Sequence, residues 1–256
     1  MEKQKFLDEL TDVFFPGGIK CIVCGIDIPK EKRFPICSKC CLENNDIYCL
    51  TCGRNAVASG QYCLSCKDNK WNFAKARAPF VFKGEVKRLI HRLKYGNCKY
   101  LARELSVYLA DAYFEHSLMS DIISFVPMHS KKQKRRGYNQ AEELARCLSQ
   151  TVGCSCEKLL VKTVFAKSNA GQNSEQRLAA VKDTFSVAES EGKAVEIKNK
   201  RILLVDDVFT TGATVNECAR VLLSAGAAEV NVLTLASVSG SIKRKSVKLS
   251  DLKINN

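Results

Sequence analysis

An apolar run that ends in two adjacent aspartates constrains the fold of this chain more than any other feature. Residues 201–205 read RILLV, which by length and composition is typical of a buried parallel strand. After a short stretch of Thr, Gly and Ala, the spacing becomes helical from residue 213, and Gly226 closes the helix. A second apolar run, residues 229–237, follows. This β-loop-α-β order predicts a parallel α/β sheet, in which ligands bind at the carboxyl ends of the strands.

The residues between this strand and its helix suit a sugar and a phosphate. Asp206 and Asp207 come first, and residues 210–214, here called the TTGAT loop, place backbone N–H groups and hydroxyls at a helix N-terminus. The loop consists of Thr210, Thr211, Gly212, Ala213 and Thr214. Carboxylates accept hydrogen bonds from paired ribose hydroxyls and attract hydrated Mg²⁺. The pattern predicts a phosphoribosyl site; the alternative is that one aspartate caps the loop and the other is solvated.

Four CxxC pairs in the N-terminal part of the chain predict metal binding. The spacing repeats, since Cys21 to Cys49 is 28 positions and Cys37 to Cys63 is 26. Each CxxC presents two thiolates to one tetrahedral ion, so two zinc sites of four cysteines are expected. The expected ligands are Cys21, Cys24, Cys37, Cys40, Cys49, Cys52, Cys63 and Cys66. Free thiols and disulfides are the alternatives, and Cys41 is an alternative to its neighbour Cys40.

Both zinc sites are expected to be structural, because four sulfur ligands leave no coordination position for a catalytic water. So short a segment buries little core, and the metal should therefore supply much of its folding free energy. Residues 1–70 have a net charge of +1, which eight thiolates and two zinc ions change to −3. A module with this charge is expected to dock on or cover another domain rather than be the main nucleic-acid contact.

The rest of the chain is strongly basic. Residues 71–256 hold thirty Lys and Arg against eighteen Asp and Glu, which is +12 of the overall +13. This excess indicates an anionic partner: a phosphate ligand, a nucleic acid or a membrane surface. One helix is predicted after Gly84 and a second from about Tyr100 to Glu115. Four cations of the first helix fall mostly outside its apolar stripe and either cover a solvated face or join a polyanion-binding surface. They are Lys87, Arg88, Arg92 and Lys94.

A cluster of five cations within six residues follows the next predicted strand, which stops at Pro127. Because this run precedes a helix starting near Asn139, it should lie at the ligand-binding edge of the sheet. The residues expected to face a pyrophosphate are Lys131, Lys132, Lys134, Arg135 and Arg136, with Gly137 at the hinge. A solvated loop or a nucleic-acid patch is the alternative. Further on, we expect a strand over 158–165, a flexible flap over 166–174 and a helix over 174–182.

The N-terminal residues and the hydropathy pattern bear on the location of the chain. The first eighteen residues carry four acidic side chains and no uninterrupted apolar core, which argues against a signal peptide. No window approaches the roughly 18 consecutive apolar residues of a membrane span. We therefore expect a cytoplasmic, reducing location, where paired cysteines hold metal more often than they form disulfides.

The stretch LLVDDVFTTGAT resembles the 5-phosphoribosyl diphosphate (PRPP) motif of type I phosphoribosyltransferases. The resemblance extends to the ComF family over nearly the whole chain, through CIVCG…CSKC…CLTCG…CLSC, APFVFKGEVKRLIHRLKYG and FVPMHSKKQKRRGYNQAEELA. It implies a doubly wound parallel sheet with a small N-terminal double zinc-ribbon module. The implied domains are an N-terminal helix and cysteine module (1–70), a phosphoribosyltransferase-like domain (71–240) and a basic tail (241–256).

The same resemblance implies roles and partners. Asp206 and Asp207 would bind ribose or its Mg²⁺, the TTGAT loop would hold the 5-phosphate, and the cationic run 131–136 would contact pyrophosphate. Residues 167–172 would form the flap. ComF proteins are associated with natural transformation, in the cytoplasm, on incoming single-stranded DNA. The implied partners are thus PRPP, single-stranded DNA and other competence proteins.

One position departs from related enzymes. Hypoxanthine-type transferases carry a third Asp in this motif that serves the purine, and here that position is Thr210. Two hypotheses stay open. The chain is either a phosphoribosyltransferase, including an amido- or base transferase of nucleotide metabolism, or a nucleic-acid-binding protein that uses the PRPP pocket to sense nucleotides or DNA ends.

Overall fold

The fold is taken from a computed structural model that describes residues 19–29, 32–55, 62–63, 66, 71–164, 180–190, 193–194 and 196–239. Three sequence predictions fall outside these residues: the N-terminal helix, the flap at 167–172 and the basic tail. The predicted helix over 174–182 is described only in its last turn. The division of the chain at residues 70 and 240 stays a prediction.

The described residues form short strands around two long ones. In chain order the strands are β1 Ile19–Lys20, β2 Asp27–Ile28, β3 Ala76–Arg77, β4 Phe80–Val81, β5 Ile122–Phe125, β6 Ser155–Cys156, β7 Leu160–Lys162, β8 Phe185–Val187, β9 Glu189–Ser190, β10 Lys193–Ala194, β11 Arg201–Phe209 and β12 Glu229–Ser237. β11 and β12, the long ones, have nine residues each and pair with each other along their whole length.

The main sheet has six strands, in the order β3, β12, β11, β5, β6, with β4 also paired to β12. All of its pairings are parallel, so every carboxyl end points toward the same edge. β11 lies at the centre, because Ile202 to Val205 pair with Ile122 to Phe125 on the side away from β12. The remaining strands form two-stranded antiparallel sheets, β1 with β2, β7 with β8 and β9 with β10.

Five helices of seven or more residues accompany the sheet in the described part of the chain. They are α1 Gly84–Tyr95, α2 Leu101–Glu115, α3 Ser130–Arg136, α4 Gln140–Val152 and α5 Ala213–Ser224. The ends of α4 illustrate the local causes: the Asn139 side chain accepts a hydrogen bond from the Ala141 amide, and Gly153 ends the helix at φ 71°. None of these described helices combines the length and apolar content that crossing a membrane requires.

Helices cover both faces of the sheet, and this makes it doubly wound, as predicted. Leu203 and Val205 of β11 pack with α1, α2 and α4 in one hydrophobic core. The alternate residues Ile202 and Leu204 pack with α5, β7 and β8 in a second core on the opposite face. The strands and helices predicted around residues 201–237 are confirmed.

The cationic run differs from its prediction, because it is the helix α3 rather than a loop. The His129 side chain caps this helix by accepting a hydrogen bond from the Lys131 amide, and Gly137, at φ 88°, ends it. Three cations lie in its last turn, where the carbonyl end of a helix favours positive charge. The strand predicted over 158–165 is also shorter than expected, since β7 covers only Leu160–Lys162.

Candidate functional site

Asp206 and Asp207 lie within β11, near its carboxyl end. The sequence placed them just after the strand, but β12 runs alongside as far as Ser237 and β11 continues with it to Phe209. Neighbouring side chains of a strand leave on opposite faces of the sheet. Accordingly, the charge of Asp206 acts on Cys218 of α5, whereas Asp207 forms an ion pair with α1 on the other face. The two carboxylates are adjacent in sequence but have different surroundings.

Asp207 is paired with Lys94, the penultimate residue of α1. The distance from Lys94 Nζ to Asp207 Oδ1 is 2.7 Å, and the two side chains are 24% and 14% exposed. With so little exposure the pair is screened less than a surface salt bridge. Lys94 was predicted only as one of four cations outside the stripe of its helix, and no sequence signal distinguishes it from Lys87 or Arg88.

Asp206 lies in a less solvated environment. Its Oδ1 accepts a hydrogen bond of 2.8 Å from the Asp207 amide. Burial raises the pKa of the Asp206 carboxyl, and the charge of Asp207 raises it further. Lys162 of β7 lies close enough to oppose this effect, while burial lowers the pKa of its own ammonium. Sequence reasoning missed Lys162, because only the packing of β7 against the face of the sheet that carries Ile202 and Leu204 brings it near Asp206.

The helix α3 contributes two of its five cations to the same region. Burial lowers the pKa of the Lys132 ammonium, and the charges of Arg136, Lys94 and Lys162 lower it further, while Asp207 opposes them. Lys94, Lys132 and Lys162 therefore act on the two carboxylates, while Arg136 lies near Lys132 on the same helix. The other predicted pyrophosphate contacts, Lys131, Lys134 and Arg135, are exposed to solvent.

The TTGAT loop connects β11 to the first turn of α5. Gly212 has φ +83° and is the N-cap residue of the helix, so no side chain at that position caps the first amides. The Thr211 hydroxyl lies 3.4 Å from the Ala213 amide and Thr210 is exposed. Backbone N–H groups and hydroxyls at the start of a twelve-residue helix are suited to an anion.

The eight predicted cysteine ligands form two groups of four, and within each group all sulfur atoms lie within 4.8 Å of one another. The first cluster is Cys21, Cys24, Cys37 and Cys40; the second cluster is Cys49, Cys52, Cys63 and Cys66. Zinc–sulfur bonds of about 2.3 Å in a tetrahedron separate neighbouring sulfurs by about 3.8 Å. The Cys24–Cys37 and Cys52–Cys63 sulfur distances are 3.7 Å and 3.6 Å. The clusters fit structural zinc.

Two of the alternatives, disulfides and Cys41 as a ligand, do not fit the positions of the cysteines. A disulfide joins sulfurs at about 2.05 Å, and all fourteen cysteines, every one within the described residues, are without such a bond. Cys40 belongs to the first cluster, whereas Cys41 is exposed and outside it.

Exposed aromatic rings and cations lie together at the turn between α1 and α2, beside the carboxylates. Tyr95 and Tyr100 are 63% and 58% exposed. The Arg136 guanidinium carbon is 4.6 Å from the centre of the Tyr95 ring, and the His91 ring is 4.8 Å from it. Arg92 donates a hydrogen bond of 2.9 Å to the Tyr100 hydroxyl. Here this surface is called the aromatic rim; rings among cations can stack on bases while the cations contact phosphates.

Comparison with known proteins agrees with this geometry. A protein-family model described as the phosphoribosyl transferase domain matches residues 134–255. Competence protein F of Haemophilus influenzae is 32% identical over 226 residues, which cover 86% of this chain and 97% of that protein. The DNA utilization protein YhgH of Salmonella typhimurium is 27% identical over 227 residues, covering 84% and 95%. Competence protein ComFC of Streptococcus pneumoniae is 25% identical over 233 residues, covering 85% and 99%. The chain belongs to the ComF family.

Proposed function

We propose that this protein binds PRPP with Mg²⁺ at the carboxyl end of β11 and acts on or with single-stranded DNA in natural transformation. The observation that carries the proposal is the ion pair of Asp207 with Lys94, with Lys132 and Lys162 acting on the same two aspartates, next to the TTGAT loop. A phosphoribosyl diphosphate combines two vicinal hydroxyls with anionic groups on either side. A site for it needs acceptors for the hydroxyls and donors for the phosphates, and both are present.

The residues have separate roles in this proposal. Asp206 and Asp207 supply the oxygen ligands that Mg²⁺ prefers and accept hydrogen bonds from the ribose hydroxyls. The TTGAT loop holds the 5-phosphate. Lys132 and Arg136 of the predicted set contact the pyrophosphate, together with Lys94 and Lys162. Lys94 neutralises Asp207, so ligand binding has to redistribute this charge.

Two outcomes of PRPP binding differ in chemistry. In a transferase, a nucleophile attacks the anomeric carbon, the bond to pyrophosphate breaks and the cations stabilise the charge that the leaving group carries away. Mg²⁺ held by Asp206 and Asp207 would supply further positive charge to stabilise the leaving pyrophosphate. In a sensor, the pocket binds a nucleotide or DNA end without turnover. The two intact carboxylates favour the first, and the basic surface favours the second.

Single-stranded DNA is the proposed macromolecular partner, within the cytoplasm and alongside other competence proteins. The +12 charge of residues 71–256 suits a polyanion. The aromatic rim supplies rings on which bases can stack and is contiguous with the cations around Asp207. The names of the relatives, competence proteins and DNA utilization proteins, support the same partner.

Thermal unfolding tests the binding proposal. A ligand that binds only the native state raises the melting temperature. PRPP with Mg²⁺ should raise it more than PRPP without Mg²⁺, pyrophosphate or ribose 5-phosphate, and no effect of any of them would contradict the proposal. Pyrophosphate release in the presence of ammonia, glutamine, nucleobases or single-stranded DNA then separates the two outcomes, because only a transferase releases it.

A further inference from the structure

Trp71, the only tryptophan of the chain, lies between the second cluster and the TTGAT loop. Its Nε1–H donates a hydrogen bond of 3.1 Å to Cys66 Sγ. The far edge of its ring lies against Gly212, where an added Cβ would be only 3.0 Å from Trp71 Cζ3. One side chain therefore contacts both a proposed zinc ligand and the turn of the loop.

The loop rests on an aromatic floor of which Trp71 is one part. The rings of Trp71 and Phe73 are stacked with centres 5.2 Å apart, and Phe209 meets Phe73 edge-on at 6.0 Å. A Cβ on Gly212 would lie 2.7 Å from Phe209 Cζ. The conformation of the loop at Gly212 is thus tied to the position of these rings, because the backbone approaches them too closely to move independently.

A second connection runs through Arg54, whose side chain is buried. Its Nε donates a hydrogen bond of 3.4 Å to Cys52 Sγ, and its guanidinium carbon lies 5.9 Å from the centre of the Phe209 ring. Four thiolates around one Zn²⁺ keep a net negative charge, so N–H donors such as those of Trp71 and Arg54 are held strongly.

A third connection lies just after Trp71 in the chain. Asn216, in the first turn of α5, accepts a hydrogen bond of 2.7 Å from the Asn72 amide through its Oδ1. The Asn216 amide in turn donates to the Gly212 carbonyl at 2.9 Å. The backbone that leaves the second cluster is therefore attached to the helix start that the TTGAT loop forms.

The first cluster makes different contacts. Within the described residues, segments next to this cluster contact α1 and α2. Arg92 of α1 donates a hydrogen bond of 2.6 Å to the Ile22 carbonyl, and the Phe34 ring stacks on Tyr108 of α2 with centres 4.8 Å apart. The two clusters thus contact different parts of the fold, although each consists of four cysteines. This difference provides a matched control within one chain.

We propose that the second cluster, with zinc bound, positions the TTGAT loop through Trp71 and Arg54, so that loss of this zinc lowers the affinity of the loop for a phosphate ligand. The first cluster has no such effect. Trp71 is a positioning residue: in this proposal it does not contact the phosphate ligand itself. The phosphate ligand rests on the function proposed above, but the coupling between cluster and loop does not.

Hydrogen exchange of the backbone amides of residues 209–216, followed by mass spectrometry in the full-length protein, tests the coupling without any ligand. Trp71→Phe removes the N–H donor and the far ring edge but keeps all eight cysteines. We expect it to retain two zinc ions while its loop amides exchange faster, because the ring no longer packs against Gly212. Cys66→Ser should accelerate the same amides and lose one zinc. Cys24→Ser should lose one zinc and leave them unchanged.

Unchanged loop exchange in Trp71→Phe and Cys66→Ser would overturn the proposal, and so would equal acceleration in Cys24→Ser. If Cys66→Ser does not fold, the comparison of Trp71→Phe with Cys24→Ser decides. PRPP titration of the same proteins then gives the functional result: about tenfold weaker binding by Trp71→Phe and unchanged binding by Cys24→Ser. If the wild-type protein binds no PRPP but its loop responds as expected, the coupling holds and the proposed function fails.

Discussion

Lys94 Nζ lies 2.7 Å from Asp207 Oδ1 and joins the end of α1 to the carboxyl end of the central strand. Asp206, the preceding residue, interacts with Cys218 and Lys162 on the other face of the sheet. The two adjacent carboxylates thus have different partners: Asp207 forms an ion pair with Lys94, and the Lys162 ammonium opposes the effect of burial on the pKa of Asp206. Adjacent aspartates at the end of a buried strand become understandable once these partners are in place.

Replacement of Lys94 should expose the cost of leaving Asp207 without a partner. We expect Lys94→Met to lower the free energy of unfolding by about 1–3 kcal/mol without Mg²⁺, because the pair is neither fully exposed nor fully buried. Added Mg²⁺ should recover part of the loss by binding the freed carboxylate. Urea denaturation with and without MgCl2 measures both effects. Lys87→Met, on the exposed side of the same helix, is the control, and equal behaviour of the two variants would contradict this role of Lys94.

Gly212→Ala should be more destabilising than a change at a glycine of similar backbone conformation. Gly212 and Gly226 have φ +83° and +97°, but the closest atom to an added Cβ is 2.7 Å away at Gly212 and 3.6 Å away at Gly226. Left-handed backbone costs alanine about 1–2 kcal/mol at either position. Overlap with Phe209 and Trp71 should add about 1–3 kcal/mol at Gly212 only. Chemical denaturation of both variants measures the loss in the free energy of unfolding. Equal losses would mean that the rings of the aromatic floor move aside for the added methyl group at little cost.

The protein purified without added metal should contain two zinc ions per chain. In each cluster the four sulfurs lie within 4.8 Å of one another, and the Cys24–Cys37 and Cys52–Cys63 distances of 3.7 Å and 3.6 Å are close to the separation around tetrahedral zinc. Elemental analysis measures the ratio of zinc to protein. A ratio near one would show that one set of cysteines does not hold metal, and the content of Cys24→Ser and Cys66→Ser would identify which.

Much of this arrangement is predictable from sequence because its signals are local. The period of apolar residues around Asp206 predicts the strand and helix, and repeated CxxC pairs predict both clusters. Lys94 and Lys162 are not predictable in this way, because each looks like a solvated cation until α1 and β7 are docked beside β11. The helical form of residues 130–136 also escaped prediction, since a seven-residue segment with five cations has no apolar stripe to reveal its period. Trp71 had no signal at all, as its role depends on contacts with residues from two distant segments.

The aromatic rim should contribute to binding of single-stranded DNA. We expect Tyr95→Ala and Tyr100→Ala each to weaken binding of an oligothymidylate by about 1–3 kcal/mol, because stacking of one base on one ring is lost. Phe114→Ala removes a ring that is 57% exposed on α2 and should have no effect. Fluorescence anisotropy at two salt concentrations measures affinity, which should fall steeply with salt. Equal losses in all three variants, or salt-independent binding, would exclude the rim as the DNA surface.

Calorimetric titration of PRPP with Mg²⁺ into the wild-type protein and into the double variant Asp206→Asn, Asp207→Asn tests the central claim most directly. The substitutions keep side-chain size and remove two charges, while Asp121→Asn, at the opposite end of the sheet, is the control carboxylate. Saturable binding by the wild type and the control is expected. The double variant should bind at least about 100-fold more weakly, since each hydrogen bond to a charged group contributes about 1.5–3 kcal/mol. No binding by the wild type, or unchanged affinity in a double variant that keeps its zinc, would contradict the assignment of these two aspartates to a PRPP site.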